Sequence, residues 1–285
     1  MKVFVHLMAD GTVLGVLETA RLRQVRRLRE LQEVLYDRDC CRKADLELPM
    51  YEIYRDCCHG EARDLLQRYG LRYDVTVVPP LLLGEEYVKT LGHYHLPVGE
   101  AGSHPELFEV LEGEAEFLVQ KECGGEVADV SLIIAREGEK VLIPPGRGHV
   151  MVNASSRRLV VGNLISRSCA EMRDQFLERR GAAFYVLTWG RLVRNPRYSS
   201  VSEIRVLKAV TPPSLQGGSG LVQAFMKDPD LFAFLNEPGG RAGWGGLDHG
   251  QLPLASGNLA IFVYAFFATY AGLMFLTLVS MAFYR

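Results

Sequence analysis

From residue 73 to 164 the chain runs in short β-rich stretches broken by glycine and proline: 73–78, 86–90, 107–111, 115–120, 131–134, 140–143 and 158–164. Stretches of this length, with turn signals between them, predict an all-β barrel or sandwich. Upstream, 1–16 reads as two short strands about a turn at Asp10-Gly11. The next stretch, 23–36, carries Val25, Leu28, Leu31 and Leu35 at near-helical spacing, which predicts a helix. Downstream, 171–180 reads as a short helix and 182–189 as one more strand. Beyond 206 the texture loosens. Pro212-Pro213, Gly217-Gly218, Gly239-Gly240 and Gly245-Gly246 surround a helical island at 221–235, so 210–251 reads as a linker with an embedded helix. The predicted organisation is mainly β: strands and a helix packing on the barrel over 1–60, the barrel itself over 61–209, the linker, and a terminal segment over 252–285.

That terminal segment differs in kind. Residues 259–284 hold no charged side chain across 26 positions, and only Thr269, Thr277 and Ser280 interrupt the apolar run. As a helix it would extend about 39 Å, against a hydrocarbon core of roughly 30 Å. Tyr264, Tyr270 and Tyr284 offer interfacial anchors. A buried core helix is the bland alternative, but such helices are usually shorter and show a polar face. The expectation is a C-terminal transmembrane helix.

Composition then removes some classes of function. The chain has 285 residues, 48% hydrophobic and 23% charged, so it can bury a core and is not a disordered polymer. A net charge of -2 with the two signs mixed gives no nucleic-acid footprint. The basic run Arg21, Arg23, Arg26, Arg27 and Arg29 reads as the solvated side of an early element, with an anion or lipid contact as the alternative. Six cysteines include two vicinal pairs, Cys40-Cys41 and Cys57-Cys58, the second followed by His59. Adjacent thiols diverge and suit a zinc site poorly, so they read as free thiols, a bridge between the pairs being the alternative. Residues 1–11 lack a secretory core. The bulk of the chain is expected in the cytoplasm, anchored to the membrane by its C-terminal helix.

The chemistry concentrates in two strings. One is Thr90-Leu91-Gly92-His93-Tyr94-His95, followed after ten residues by Glu106-Leu107-Phe108-Glu109-Val110-Leu111-Glu112-Gly113. On a strand, i and i+2 share a face, so His93 and His95 aim together, and Glu106 can add a carboxylate from the adjoining strand. The other string is Gly138-x5-Pro144-x-Gly146-x2-His149-x3-Asn153, whose Pro/Gly corner ends one strand and presents His149 from the next. One buried histidine alone would be unremarkable core; the joint pattern is a ligand set. Three imidazoles and a carboxylate suit one divalent ion such as Fe, Mn, Ni, Co or Zn.

These strings resemble the paired motifs of the cupin superfamily, whose fold is a double-stranded β-helix jelly roll. The long stretch between His95 and Glu106 departs from the common cupin motif. It is similar to one branch, the archaeal cupin-type phosphoglucose isomerases, as are Tyr51-Glu52-Ile53-Tyr54-Arg55, Leu71–Pro80, Tyr87-Val88-Lys89-Thr90 and Pro144-Pro145-Gly146-Arg147-Gly148-His149. The resemblance spans roughly residues 21–197. It implies reversible isomerisation of glucose 6-phosphate and fructose 6-phosphate, a hexose phosphate as substrate, and His93, His95, Glu106 and His149 as metal ligands. It also implies a phosphate pocket from Tyr51, Thr76, Thr90 and Gly92, and cupins commonly pair as homodimers. The match is incomplete. Phe108 stands where the family has a pocket tyrosine, Gln175 at a second tyrosine and Arg173 at a nearby histidine, so either Arg173 holds the phosphate or the substrate differs.

Isomerisation moves a proton or hydride between C1 and C2, and Glu106 is the candidate base if it leaves the metal. Glu109 and Glu112 read as solvated, and His104 as a surface histidine or a cover for the pocket mouth. Two other classes stay open: a non-catalytic, membrane-tethered sugar or metal sensor, and an iron dioxygenase. The three hydroxyls of Tyr51, Thr76 and Thr90 argue for a phosphosugar over both.

Overall fold

A computed structural model of the chain describes residues 22–211, 215 and 220–239. They fall within the first of two units, Met1–His249; the second, Gly250–Arg285, lies outside the described residues. So do the strands expected at 1–16 and the span expected at 259–284. Among the described residues no helix is long and apolar enough to cross a membrane.

The described chain is mainly β, as its alternating stretches predict. Six strands form the larger sheet, in the order Leu22–Arg27, Pro49–Arg55, Leu71–Val78, Leu159–Ser166, Glu106–Glu112 and Lys140–Ile143, every neighbouring pair antiparallel. The smaller sheet is built on Gly148–Val152, Glu114–Cys123 and Glu126–Arg136. Its long hairpin turns at Gly124-Gly125, both at positive φ, which two-residue hairpin turns demand and glycine supplies at least cost. Phe108, Val110 and Val141 from the larger sheet share one core with Phe117, Val119, Ile133 and Met151 from the smaller. The Phe108 and Phe117 rings meet at 5.1 Å.

The strand Leu159–Ser166 is buried at all eight positions. Its run Leu-Val-Val-Gly-Asn-Leu-Ile-Ser lacks polar alternation because the sheet is covered on both faces here. The outer cover is the C-terminal segment. Helix Leu221–Lys227 and the 3-10 turns Pro229–Asn236 correspond to the helical island at 221–235. Phe225, Phe232 and Leu235, all 0% exposed, pack against Leu66, Leu71, Tyr73 and Leu164. This helix also captures Glu109, whose Oε2 accepts the Leu221 N–H at 2.8 Å while Oε1 meets Lys140 Nζ at 3.1 Å. Glu109 is therefore buried, not solvated as expected. Glu112 pairs with Arg158 at 2.6 Å.

Two further expectations change. The helix predicted at 23–36 is a strand through Arg27, a single helical turn Leu28–Leu31 and a 3-10 turn Gln32–Val34. Leu28, Leu31 and Val34 are buried at a spacing of three, which is the helical part of the signal; Val25 belongs to the strand, opposite Glu52. The arginines of that run are not a plain solvated face. Arg23 pairs with Glu52 at 2.6 Å, Arg26 with Glu30 at 2.6 Å, and Arg27 and Arg29 reach Glu47. The six cysteines are thiols, so the bridge between the vicinal pairs is not formed.

Candidate active site

Strand direction brings the four predicted ligands to one point. His93 and His149 form an antiparallel bridge, with backbone bonds of 3.2 and 3.0 Å in the two directions. Tyr94, between the two histidines, turns the other way, and Gln120 donates to its hydroxyl at 2.9 Å. Gly92 sits at φ 82°, and a Cβ there would lie 2.6 Å from Val150 Cγ2. Glu106 opens the strand Glu106–Glu112, paired with Ile143 on one side and Ile165 on the other.

The geometry within the quartet is convergent. Glu106 Oε2 lies 3.1 Å from His95 Nε2, 3.4 Å from His149 Nε2 and 3.9 Å from His93 Nε2. The four ligand atoms all fall within 4.8 Å of one another. Ligands about 2.1 Å from a common ion lie roughly 3–4 Å apart, and the three distances from Glu106 Oε2 to the imidazoles are of that size, so the group could hold one ion. The surroundings support the fit. His95 Nδ1 donates to the His104 carbonyl at 2.7 Å, which turns Nε2 to the centre, the nitrogen that would face an ion. Asn163 Nδ2 donates to Glu106 Oε1 at 2.7 Å and so keeps Oε2 facing the imidazoles. Burial, together with the neighbouring imidazoles, pushes His93 and His149 well below the ordinary histidine value of 6.5. They are therefore neutral, as a ligand must be. Burial works the same way on His95, but hydrogen bonds with Cys169 and Glu106 outweigh it and raise that group. Among the described residues no other group of three or more His, Cys, Asp or Glu side chains gathers in this way.

The quartet opens into a cavity whose walls include Tyr51, Thr76, Thr90, Gly92 and Arg173, every one of the residues expected to meet substrate. Tyr51 Oη accepts from Leu91 N–H at 3.2 Å and Thr90 Oγ1 from Met151 N–H at 3.0 Å, so each hydroxyl keeps its own proton to donate. Burial raises Tyr51, against the pull of nearby Arg26 and Arg173, and keeps it a protonated donor. Phe108 lines the cavity, its ring 5.4 Å from that of His149. Gln175 is not on the wall.

Three polar wall residues were given no role from the sequence: Arg55, Asn163 and Glu171. Alternation carries a signal for the first, since Tyr51, Ile53 and Arg55 are spaced by two and all three line the cavity. Asn163 is a lone amide in an apolar run. For Glu171 there is no local signal; its place follows from pairing opposite His95. His104 is corrected: it is 3% exposed rather than a surface residue, with its carbonyl on His95 and its Nε2 3.1 Å from Ser168 Oγ.

The family model described as Glucose-6-phosphate isomerase (GPI) matches residues 25–203. A glucose-6-phosphate isomerase of Thermococcus gammatolerans is 27% identical over 189 residues, covering 65% of this chain and 92% of that protein. One from Thermococcus litoralis is 26% identical over 149 residues, covering 51% and 70%. Among solved structures, oxalate oxidase in complex with a substrate analogue, glycolate, aligns at a TM-score of 0.28 and 17% identity over 36% of this chain and 45% of its own, too slight a likeness to argue from. The family match spans well over half of the sequence and takes in every residue of the quartet and of the cavity wall, and the chain belongs to the glucose-6-phosphate isomerase family.

Proposed function

We propose that the chain interconverts glucose 6-phosphate and fructose 6-phosphate, with one divalent ion held by His93, His95, Glu106 and His149. The observation that carries this reading is the convergence of three imidazole Nε2 atoms on one oxygen of Glu106, inside the cavity that Tyr51, Thr76 and Thr90 line. When bound, the ion supplies Lewis-acid stabilisation for the negative charge that builds on the sugar oxygens at C1 and C2. The chain's own groups do the rest. The hydroxyls of Tyr51, Thr76 and Thr90, the Gly92 N–H and the Arg173 guanidinium take the phosphate oxygens by charge-assisted hydrogen bonds. If Glu106 leaves the metal, its Oε2 takes the proton from C2 of the aldose and returns it to C1 while the C2 hydroxyl proton passes to the C1 oxygen; Asn163, donating to Oε1, leaves Oε2 as the working oxygen. Phe108 and Met151 give the cavity an apolar wall that limits water around the transferred proton.

A coupled assay with both hexose phosphates, beside metal analysis of the purified protein, tests the proposal. Turnover in deuterated water should leave label at C2 of glucose 6-phosphate. If the metal-loaded protein turns over neither hexose phosphate, the isomerase reading falls. The uncharged stretch 259–284 we read as an anchor that holds this domain at the cytoplasmic side of a membrane. Recovery of the intact chain from the aqueous fraction without detergent would overturn the anchor.

A further inference from the structure

Beside the hydroxyls of the cavity lies a chain of charges. Arg55 Nη1 donates to Asp74 Oδ2 at 2.7 Å, and Arg55 Nη2 donates to Glu171 Oε1 at 2.7 Å. The other oxygen of Glu171 accepts from Arg173 Nη2. Asp74, 1% exposed at its side chain, also takes Arg72 Nε at 2.9 Å. Three arginines against two carboxylates leave the cluster one positive charge in excess. Arg55, Glu171 and Arg173 all line the cavity. A guanidinium carries five N–H donors. The bonds to Asp74 and Glu171 therefore leave both arginines with further donors for a ligand.

We infer that Glu171 is a positioning residue for the substrate's phosphate: it fixes the guanidiniums of Arg55 and Arg173 in the cavity wall as a preset pair, so that the site selects dianionic phosphate esters over free sugars. The inference rests on the phosphosugar reading above and adds two residues, Arg55 and Glu171, to it. Two features make Glu171 a fixed brace. Both of its oxygens are engaged, one by each arginine, and its backbone pairs with His95 across the short sheet formed by Glu171–Met172 and Tyr94–His95. The brace is thereby tied to the strand that carries a member of the quartet. Burial alone would raise the Glu171 carboxyl, but Arg55 and Arg173 hold it below the usual carboxylate range, so it stays charged. A long cationic side chain loses affinity for an anion when it must first be ordered; holding it in place beforehand removes that cost.

A carboxylate beside a phosphate site can act in the opposite sense, as a competitor that keeps the arginines occupied. The two roles differ in sign. With the full-length, metal-loaded protein, inorganic phosphate binding is measured by calorimetry and turnover of glucose 6-phosphate by steady-state kinetics. Glu171→Gln removes the brace's charge and should weaken phosphate binding and raise KM about tenfold or more, with kcat changed less than about threefold and metal content unchanged. Glu171→Asp should restore part of the loss. Arg173→Ala, at the more exposed side chain of the two (25% against 15%) and so safer for folding, should weaken phosphate binding to a similar degree. Unchanged or tighter phosphate binding in Glu171→Gln, or in Arg173→Ala should the first variant not fold, overturns the inference. Because phosphate binding is read without turnover, a failure of the isomerase reading shows up separately, as wild-type protein that binds phosphate but converts no hexose phosphate.

Discussion

Two buried carboxylates stand three residues apart on the strand Glu106–Glu112, and they face opposite sides of the same sheet. Glu106, 4% exposed, looks inward to three imidazoles and an amide at the edge of a cavity. Glu109, also 4% exposed, looks outward to Lys140 and the first N–H of the C-terminal helix, sealed beneath that helix. Burial is equal; the partners are not. A formal cation and a backbone N–H saturate Glu109 and leave it no chemistry to do. Glu106 is met by three imidazole nitrogens, two of them held neutral and the third, on His95, raised by Glu106 itself, so its partners are groups that a proton or an ion can exchange. Depth of burial therefore separates structural from reactive carboxylates poorly; the charge and freedom of the partners separate them well.

The sharpest way to break the comparison is to neutralise each carboxylate in turn. Glu106→Gln should lower turnover by about 10²–10⁴-fold with the fold retained, the range expected for loss of a general base. Glu109→Ala strands the Lys140 ammonium in an apolar setting and should cost about 3–5 kcal/mol of stability, read by urea unfolding, with kcat unchanged while the protein is folded. Were Glu109→Ala to abolish turnover in folded protein, the outer carboxylate would not be merely structural.

A second comparison is between metal-loaded and metal-free protein. Removing the ion should lower the melting temperature, since a ligand at 100 times its Kd contributes about 2.7 kcal/mol to the native state. The metal-free form should also show a pH signature. His93 and His149 are depressed in the fold, so below about 6.5 the unfolded chain binds more protons, and stability falls with acidity until the folded groups titrate. His95 is raised, so its contribution is complete below its unfolded value and is lost as pH rises through its folded value. Metal-free protein should thus be most stable near neutrality, and bound metal, which needs all three imidazoles unprotonated, should steepen the loss on the acid side. A metal-free protein that grew steadily more stable from pH 7 to pH 5 would contradict these assignments. The smallest effect is on substrate: Thr90→Ala should cost about 1–3 kcal/mol of phosphosugar binding while metal content stays at one equivalent.

What could be read from the chain follows the range of the interactions concerned. The strand at 140–143 is found where a short β-rich run after Gly138 puts it, and the quartet was legible because i, i+2 geometry and a Pro/Gly corner are local. Segment 23–36 was misread because two signals overlap: a strand that ends at Arg27 and a three-residue spacing from Leu28 to Val34. Glu109 and His104 look exposed in sequence, since what buries them comes from far along the chain, Leu221 in one case and Ser168 in the other. Arg55 lies in a string that carries the family likeness but was given no role, and Glu171, bonded to it across 116 positions, has no local signal at all.

The bond from Leu221 back to Glu109 also bears on how the molecule comes to be made. It joins positions 112 apart, and Phe232 and Leu235 complete the outer core only beyond it. During synthesis the sheet can therefore pair while its outer face is still bare, and that apolar surface stays exposed to chaperones or to other nascent chains until residue 235 has left the ribosome. Contacts of such sequence separation slow the last stage of folding and lengthen this exposure. A ribosome stalled near residue 215 should hold a chain whose strands have formed but whose Tyr73 face remains open to protease and to hydrophobic dyes.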